Sequence, residues 1–138
     1  MDPSGLSASL FSRMQADDGM FALVGELRAL GLSVGLLSNS WGNGYPRARL
    51  DEAFDFVVIS GEVGMRKPDE EIYHHCLAGL SVPAGGTVFV DDAEQNIMGA
   101  QRVGMRTILH ASGEATRGEL RRMGLDVSAA DVDEGGGI

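Results

Sequence analysis

Four short apolar runs, at residues 32–37 (LSVGLL), 56–59 (FVVI), 87–90 (TVFV) and 105–109 (MRTIL), are separated by stretches of helical character. Met20, Leu23, Val24, Leu27 and Leu30 recur at helical spacing before Gly31 supplies a stop. A second helix is expected over 46–53. A third starts at Pro68, with Asp69, Glu70 and Glu71 complementing the positive end of its dipole. Ile72, Cys76, Leu77 and Leu80 form its apolar face. Residues 95–103 read as a fourth helix closed by Gly104, and 117–123 as a weak fifth. Strands alternating with helices predict parallel pairing through right-handed crossovers. The expected fold is α/β: a three-layer, Rossmann-like parallel sheet with helices on both faces.

The chain has 138 residues, enough for one domain with a real core, and its 43% apolar content is that of a globular protein. A formal charge of -9 argues against nucleic-acid or anionic-membrane partners, which call for a basic face. One cysteine, Cys76, excludes an internal disulfide and suits a reducing compartment. With no run of membrane length and no basic-then-apolar leader pattern, the expectation is a soluble, cytoplasmic domain.

In such sheets ligands sit at the carboxyl ends of the strands, and the distinctive polar residues fall there. Ser38 and Asn39 follow the first run, offering a hydroxyl, an amide and backbone N–H groups to an anion. Lys67 stands just before the Pro68 helix, where ammonium and helix N-terminus converge on negative charge. Asp91 and Asp92 end the run 87–90. Two adjacent carboxylates repel unless a cation compensates them, and Mg²⁺ with oxygen ligands is the simplest partner. The plain alternative has one aspartate capping the next helix and the other facing water. Each feature alone favours an ordinary turn, lysine or cap; their joint placement predicts one shared pocket.

Taken together, LLSNS, GMRKPDEEIY and VFVDDAEQNIMGAQRVGM resemble motifs II, III and IV of the haloacid dehalogenase-like hydrolases, from about residue 20 to about 110. The resemblance is to the branch of small phosphatases and epoxide-hydrolase phosphatase domains. It implies that Ser38 and Asn39 bind phosphoryl oxygens of a small phosphorylated substrate and that Lys67 neutralises phosphate and nucleophile. It further implies that Asp91 and Asp92 hold Mg²⁺, with Asn96 bracing the metal's outer shell. A dehalogenase is disfavoured, since the acidic pair indicates a metal. A phospho-accepting receiver domain orders its acidic and lysine residues differently.

Motif I of that family is Asp-x-Asp-x-Thr/Val at the end of a central first strand; its first Asp is the nucleophile and its second the acid-base. No matching string is found here. Asp2 follows no strand, and Asp17-Asp18 has the wrong spacing. Residues 1–19 are therefore read as a cap or linker remnant, 20–125 as the partial core, and 126–138 as a disordered acidic, Gly-rich tail. The first strand and most of the cap are expected to be missing. A sheet open at its centre implies a start upstream, a sheet that closes differently, or a homo-oligomer that fills the gap, so oligomerisation or rearrangement is expected of the chain alone. Two functions follow: a Mg²⁺-dependent phosphatase lineage lacking its nucleophile, or a non-catalytic metal- or phosphate-binding module. His74, His75 and Cys76 share a helix without metal spacing. Trp41 either touches substrate or packs half-buried, His110 reaches the pocket rim at most, and Gly42-Asn43-Gly44 is no dinucleotide fingerprint.

Overall fold

The computed structural model describes residues 5–12, 18–38 and 47–128. Five parallel strands run in the order β3-β2-β1-β4-β5: β1 (Ala8–Ser12), β2 (Ser33–Ser38), β3 (Phe56–Ile59), β4 (Thr87–Asp91) and β5 (Arg106–Leu109). The helices are α1 (Asp18–Ala29), α2 (Arg47–Ala53), α3 (Ser60–Val63), α4 (Glu70–Leu80), α5 (Glu94–Arg102) and α6 (Gly113–Arg122). The α/β class and the parallel sheet agree with the alternation in the sequence. α3 lies in a stretch expected to be loop, and α6 starts earlier than its periodicity suggests because Ser112 caps it, accepting the Ala115 N–H at 3.1 Å.

The principal correction concerns the centre of the sheet. Residues 1–19 are not simply a cap remnant: Ala8–Ser12 forms β1, paired with β2 on one side (Leu10 opposite Gly35) and β4 on the other (Leu10 opposite Phe89). The slot expected to be vacant is filled by the chain itself, so an open sheet no longer argues for a second copy. Serines at 7, 9 and 12 hide the strand from a hydrophobic scan. Yet Leu6, Ala8 and Leu10 keep a period of two, and a strand flanked on both sides gains its backbone bonds from both neighbours.

Each sheet face carries a helical layer. On one, Leu23, Val24 and Leu27 of α1, Leu50 of α2 and Leu120 of α6 cover Phe11, Val34, Leu36, Val88 and Val90. On the other, Ile72, Tyr73, Cys76, Leu77 and Leu80 of α4 and Ala100 of α5 cover Ala8, Leu10, Leu37, Val58 and Phe89. Burial pushes the Cys76 thiol up to about 12, so it is a packing residue and not a reactive one. Among the described residues no helix is long and apolar enough to cross a membrane.

Residues 126–128, expected to belong to a disordered tail, pack on the fold; residues 129–138 lie outside the described residues. Leu125 and Val127 are buried in the first core, and the Ser128 N–H donates to Glu26 Oε1 at 2.7 Å. The other Glu26 oxygen accepts from Arg117 Nη1 at 2.8 Å, and Arg117, fully buried, also donates to the Ser128 carbonyl at 3.2 Å. Partial burial opposes ionisation of Glu26, but the Ser128 N–H and the Arg117 guanidinium outweigh it and hold its carboxyl below the usual range. A lowered folded value means that the stabilisation is complete above the ordinary glutamate value of about 4.3 and fades as pH falls through the folded one. We expect Glu26→Gln to cost about 1.5–3 kcal/mol at pH 7. In urea titrations the gap between variant and wild type should narrow as pH falls below the ordinary glutamate value; a gap independent of pH would dissociate it from the carboxylate.

Candidate functional site

The chain reverses its direction of build at β1: β2 and β3 extend one way, β4 and β5 the other. Ligands in open α/β sheets bind at such a switch point, outside the carboxyl ends of the strands. Register places Phe11 opposite Val90, so the next residues, Ser12 and Asp91, end β1 and β4 side by side. Alternation of side chains then puts Ala8, Leu10 and Ser12 on the α4/α5 face together with Phe89 and Asp91.

Lys67 reaches this point from the β3–α4 connection. After α3, Gly64 adopts φ 71°, a left-handed conformation that glycine takes without strain, and its N–H caps the Ser60 carbonyl at 3.1 Å. The Ser60 hydroxyl donates to the Met65 carbonyl. The segment then crosses to α5 and delivers the Lys67 ammonium between two oxygens. It donates to the Ser12 hydroxyl and lies 3.4 Å from Asp91 Oδ2. The Lys67 side chain is 2% exposed and that of Asp91 0%. Lys67 is also the only lysine of the chain. A lone lysine with a buried ammonium is an uncommon placement, since lysine is almost never fully buried unless paired.

Asp91 is held by four groups. Its Oδ1 accepts the Ala93 N–H at 2.8 Å, its Oδ2 accepts Asn96 Nδ2 at 3.1 Å and faces Lys67, and its carbonyl accepts the His110 N–H at 2.8 Å. Asp92, the next residue, is exposed. The two adjacent carboxylates differ in burial: Asp91 ends β4 buried against an ammonium, and Asp92, in the bend that follows, is exposed. Asn96 acts directly on Asp91. Ser38 ends β2, half-buried, one residue beyond the Leu37 that pairs with Ser12. Asn39, Trp41 and Gly42-Asn43-Gly44 lie outside the described residues. The ring of His110 points to α6, its Nδ1 2.6 Å from Thr116 Oγ1. His74 is exposed and His75 packs on Phe56 at 5.9 Å between centroids.

Sequence reasoning missed Ser12. A search for carboxylates passes over a serine, and only the strand register shows that it occupies the position the family resemblance gives to the nucleophile. The Asp-x-Asp spacing then falls on Ser12 and Met14. In chemical terms Ser12, Lys67 and Asp91 bring one hydroxyl, one ammonium and one carboxylate into contact, with Ser38 at the end of the neighbouring β2 and Asp92 just after β4. Those hard oxygen donors suit Mg²⁺, which is commonly held by one or two carboxylates with waters and phosphate oxygens. Among the described residues no three His, Cys, Asp or Glu side chains converge on one point, so Asp91 and Asp92 would be its protein carboxylates.

Residues 8–110, from the first residue of β1 to the end of β5, match the family model described as "Haloacid dehalogenase-like hydrolase". "Sesquiterpene phosphatase astK" of Aspergillus oryzae is 34% identical over 114 residues, covering 80% of this chain and 58% of the relative. The chain therefore spans little more than half of that relative's length. A crystal structure of an uncharacterized protein from Corynebacterium glutamicum superposes with a TM-score of 0.77, covering 89% of this chain and 98% of the other at 22% identity, a likeness of fold. A HAD family enzyme from Bacteroides thetaiotaomicron, solved as an aspartate-to-alanine mutant in complex with magnesium and inorganic phosphate, superposes with a TM-score of 0.57. It is 28% identical and covers 66% of this chain and 51% of the other.

Proposed function

Since the chain belongs to the haloacid dehalogenase-like hydrolase family, we propose that its site descends from a Mg²⁺-dependent phosphatase and binds the phosphoryl group of a small phosphate ester. We propose further that Ser12, in place of the aspartyl nucleophile, makes it a binder rather than a hydrolase working through an aspartyl-phosphate. The observation that carries this reading is the buried Lys67 ammonium between the Ser12 hydroxyl and Asp91. The relatedness to a sesquiterpene phosphatase supports the phosphate ester. The magnesium and inorganic phosphate complex of a relative that carries an aspartate-to-alanine change supports binding of both at a site of this kind.

In this reading each residue has a task. Asp92 is exposed, Ser38 half-buried, and the side chains of Lys67 and Asp91 buried, which suits entry from the side of Asp92 and Ser38. Ser38 donates its hydroxyl to a phosphoryl oxygen. Lys67 turns from Asp91 toward the dianion, and Ser12 offers its hydroxyl at the floor. Mg²⁺, when bound through Asp91 and Asp92, supplies positive charge to the phosphoryl oxygens. Asn96 and the Ala93 N–H keep Asp91 in place while Lys67 moves.

The test is calorimetric titration of inorganic phosphate into the chain with and without Mg²⁺, beside an assay of aryl phosphate hydrolysis. Binding that Mg²⁺ tightens, with no turnover, is the expected result. Absence of phosphate binding would overturn the reading. Turnover abolished by Ser12→Ala would overturn its second half, for Ser12 would then be the nucleophile.

A further inference from the structure

The two carboxyl-end loops that carry the cluster are not fixed by strand ends alone; both rest on α5. Asp91 is bound to the first turn of α5 through Ala93 and Asn96, at 2.8 and 3.1 Å. Tyr73 of α4, fully buried, donates its hydroxyl to the Asn96 carbonyl at 2.9 Å and sets its ring edge-on to Phe89 at 5.3 Å. Burial, reinforced by the charge of Asp91, pushes the Tyr73 phenol up, so it remains a donor. Close to one turn beyond Asn96 comes Gly99, facing Pro68. A methyl group at Gly99 would stand 2.8 Å from the Pro68 carbonyl oxygen, 2.9 Å from Pro68 Cβ and 3.0 Å from Tyr73 Cε2. The segment ending in Lys67 and Pro68 therefore lies directly on the bare backbone of α5.

We propose that Gly99 and Tyr73 are positioning residues of the site: through them α5 sets the place of the Lys67 ammonium relative to Asp91. Lys67 precedes Pro68, and its ammonium meets Asp91 at 3.4 Å, the outer limit of a hydrogen bond. Any side chain at position 99 lifts Pro68 from the helix, and a displacement of well under 1 Å is enough to separate the pair. Close packing transmits such a shift because there is no slack to absorb it. Helical glycines differ in this respect: at Gly79 in α4 a methyl group would meet the Phe56 ring at 2.2 Å, away from the cluster. A methyl group at Gly25 in α1 or Gly118 in α6 meets nothing within 4 Å. Tyr73 performs the complementary task, since its hydrogen bond holds the stretch of α5 whose Asn96 side chain orients Asp91.

The ligand in this inference rests on the phosphate reading above, but the geometry does not, and the experiment separates the two. Because Lys67 is the only lysine, protein made with isotope-labelled lysine gives one ε-ammonium resonance, an unambiguous report on the Lys67 environment. Gly99→Ala, Tyr73→Phe and Gly118→Ala are compared in that spectrum, in circular dichroism and in titration with inorganic phosphate. In Gly99→Ala the resonance is expected to move toward that of free lysine while the fold persists, with phosphate affinity reduced roughly tenfold or more. Tyr73→Phe, which removes one oxygen, should shift the resonance in the same direction by less; Gly118→Ala should leave resonance and affinity unchanged. A folded Gly99→Ala protein with the wild-type lysine resonance overturns the proposal. If that variant does not fold, an unshifted resonance in Tyr73→Phe overturns it instead. Failure of the wild type to bind phosphate would sink the ligand assignment, and the lysine resonance would still decide the positioning role.

Discussion

Lys67→Met is expected to lower the stability of the chain by about 3–5 kcal/mol and to abolish phosphate binding. Both effects have one cause. Asp91 is fully buried, and a buried carboxylate is tolerated only with charge compensation and hydrogen bonds. The Ala93 and Asn96 N–H groups supply the second; the ammonium supplies the first. Methionine keeps the apolar stem and removes the charge, so the loss reports on electrostatics more than on packing. Asp91→Asn in the same background should return part of it, because the uncompensated charge disappears. The cycle of the two single variants and the double, followed by urea denaturation at pH 7, isolates the coupling. Additive single effects, or a loss under about 1 kcal/mol for Lys67→Met, would show that the amides around Asp91 suffice without the ammonium.

Much of this arrangement was legible in the sequence, and what was not has physical reasons. β4 and α5 stood out because a β-branched run ends abruptly in carboxylates and an amphipathic stretch follows. α4 stood out through Pro68, its acidic first turn and its apolar face. β1 did not. Its serines break the apolar pattern, and Ser9 leaves a buried hydroxyl with no hydrogen-bond partner, an arrangement that general rules count against a strand. Position overrides composition there: strands on both sides supply the backbone bonds. The packing of Leu125, Val127 and Ser128 was equally hidden. It depends on Glu26, about a hundred residues away, so no local signal exists. The Asp91-Asp92 pair shows a different limit. The sequence poses the problem of two like charges, but the solution, a buried Asp91 beside an ammonium and an exposed Asp92 in the bend after the strand, belongs to the three-dimensional arrangement.

That register makes Ser12→Asp the most informative single change. The new carboxylate would stand at the end of the central strand, beside the Lys67 ammonium and level with Asp91. Without metal, two buried carboxylates would then share one ammonium, and like charges in a desolvated site disfavour the ionised pair. The metal-free variant should be less stable than the wild type by several kcal/mol. A divalent cation reverses the balance, since a further anionic oxygen raises affinity for a hard ion. At Mg²⁺ concentrations 100-fold above the dissociation constant the variant should regain about 2.7 kcal/mol. The expected signature is a melting temperature that falls in chelator and recovers with Mg²⁺, at an affinity at least about tenfold above that of the wild type. Adding Met14→Asp restores the family's Asp-x-Asp spacing, and Mg²⁺-dependent hydrolysis of an aryl phosphate should then appear where the wild type has none. If Ser12→Asp responds to Mg²⁺ no more than the wild type does, position 12 does not face the metal. The descent of this site from an aspartyl-phosphate enzyme would then lose its structural ground. If the Mg²⁺ response appears without turnover in the double variant, the site is a binding site in its remaining residues as well as in its nucleophile.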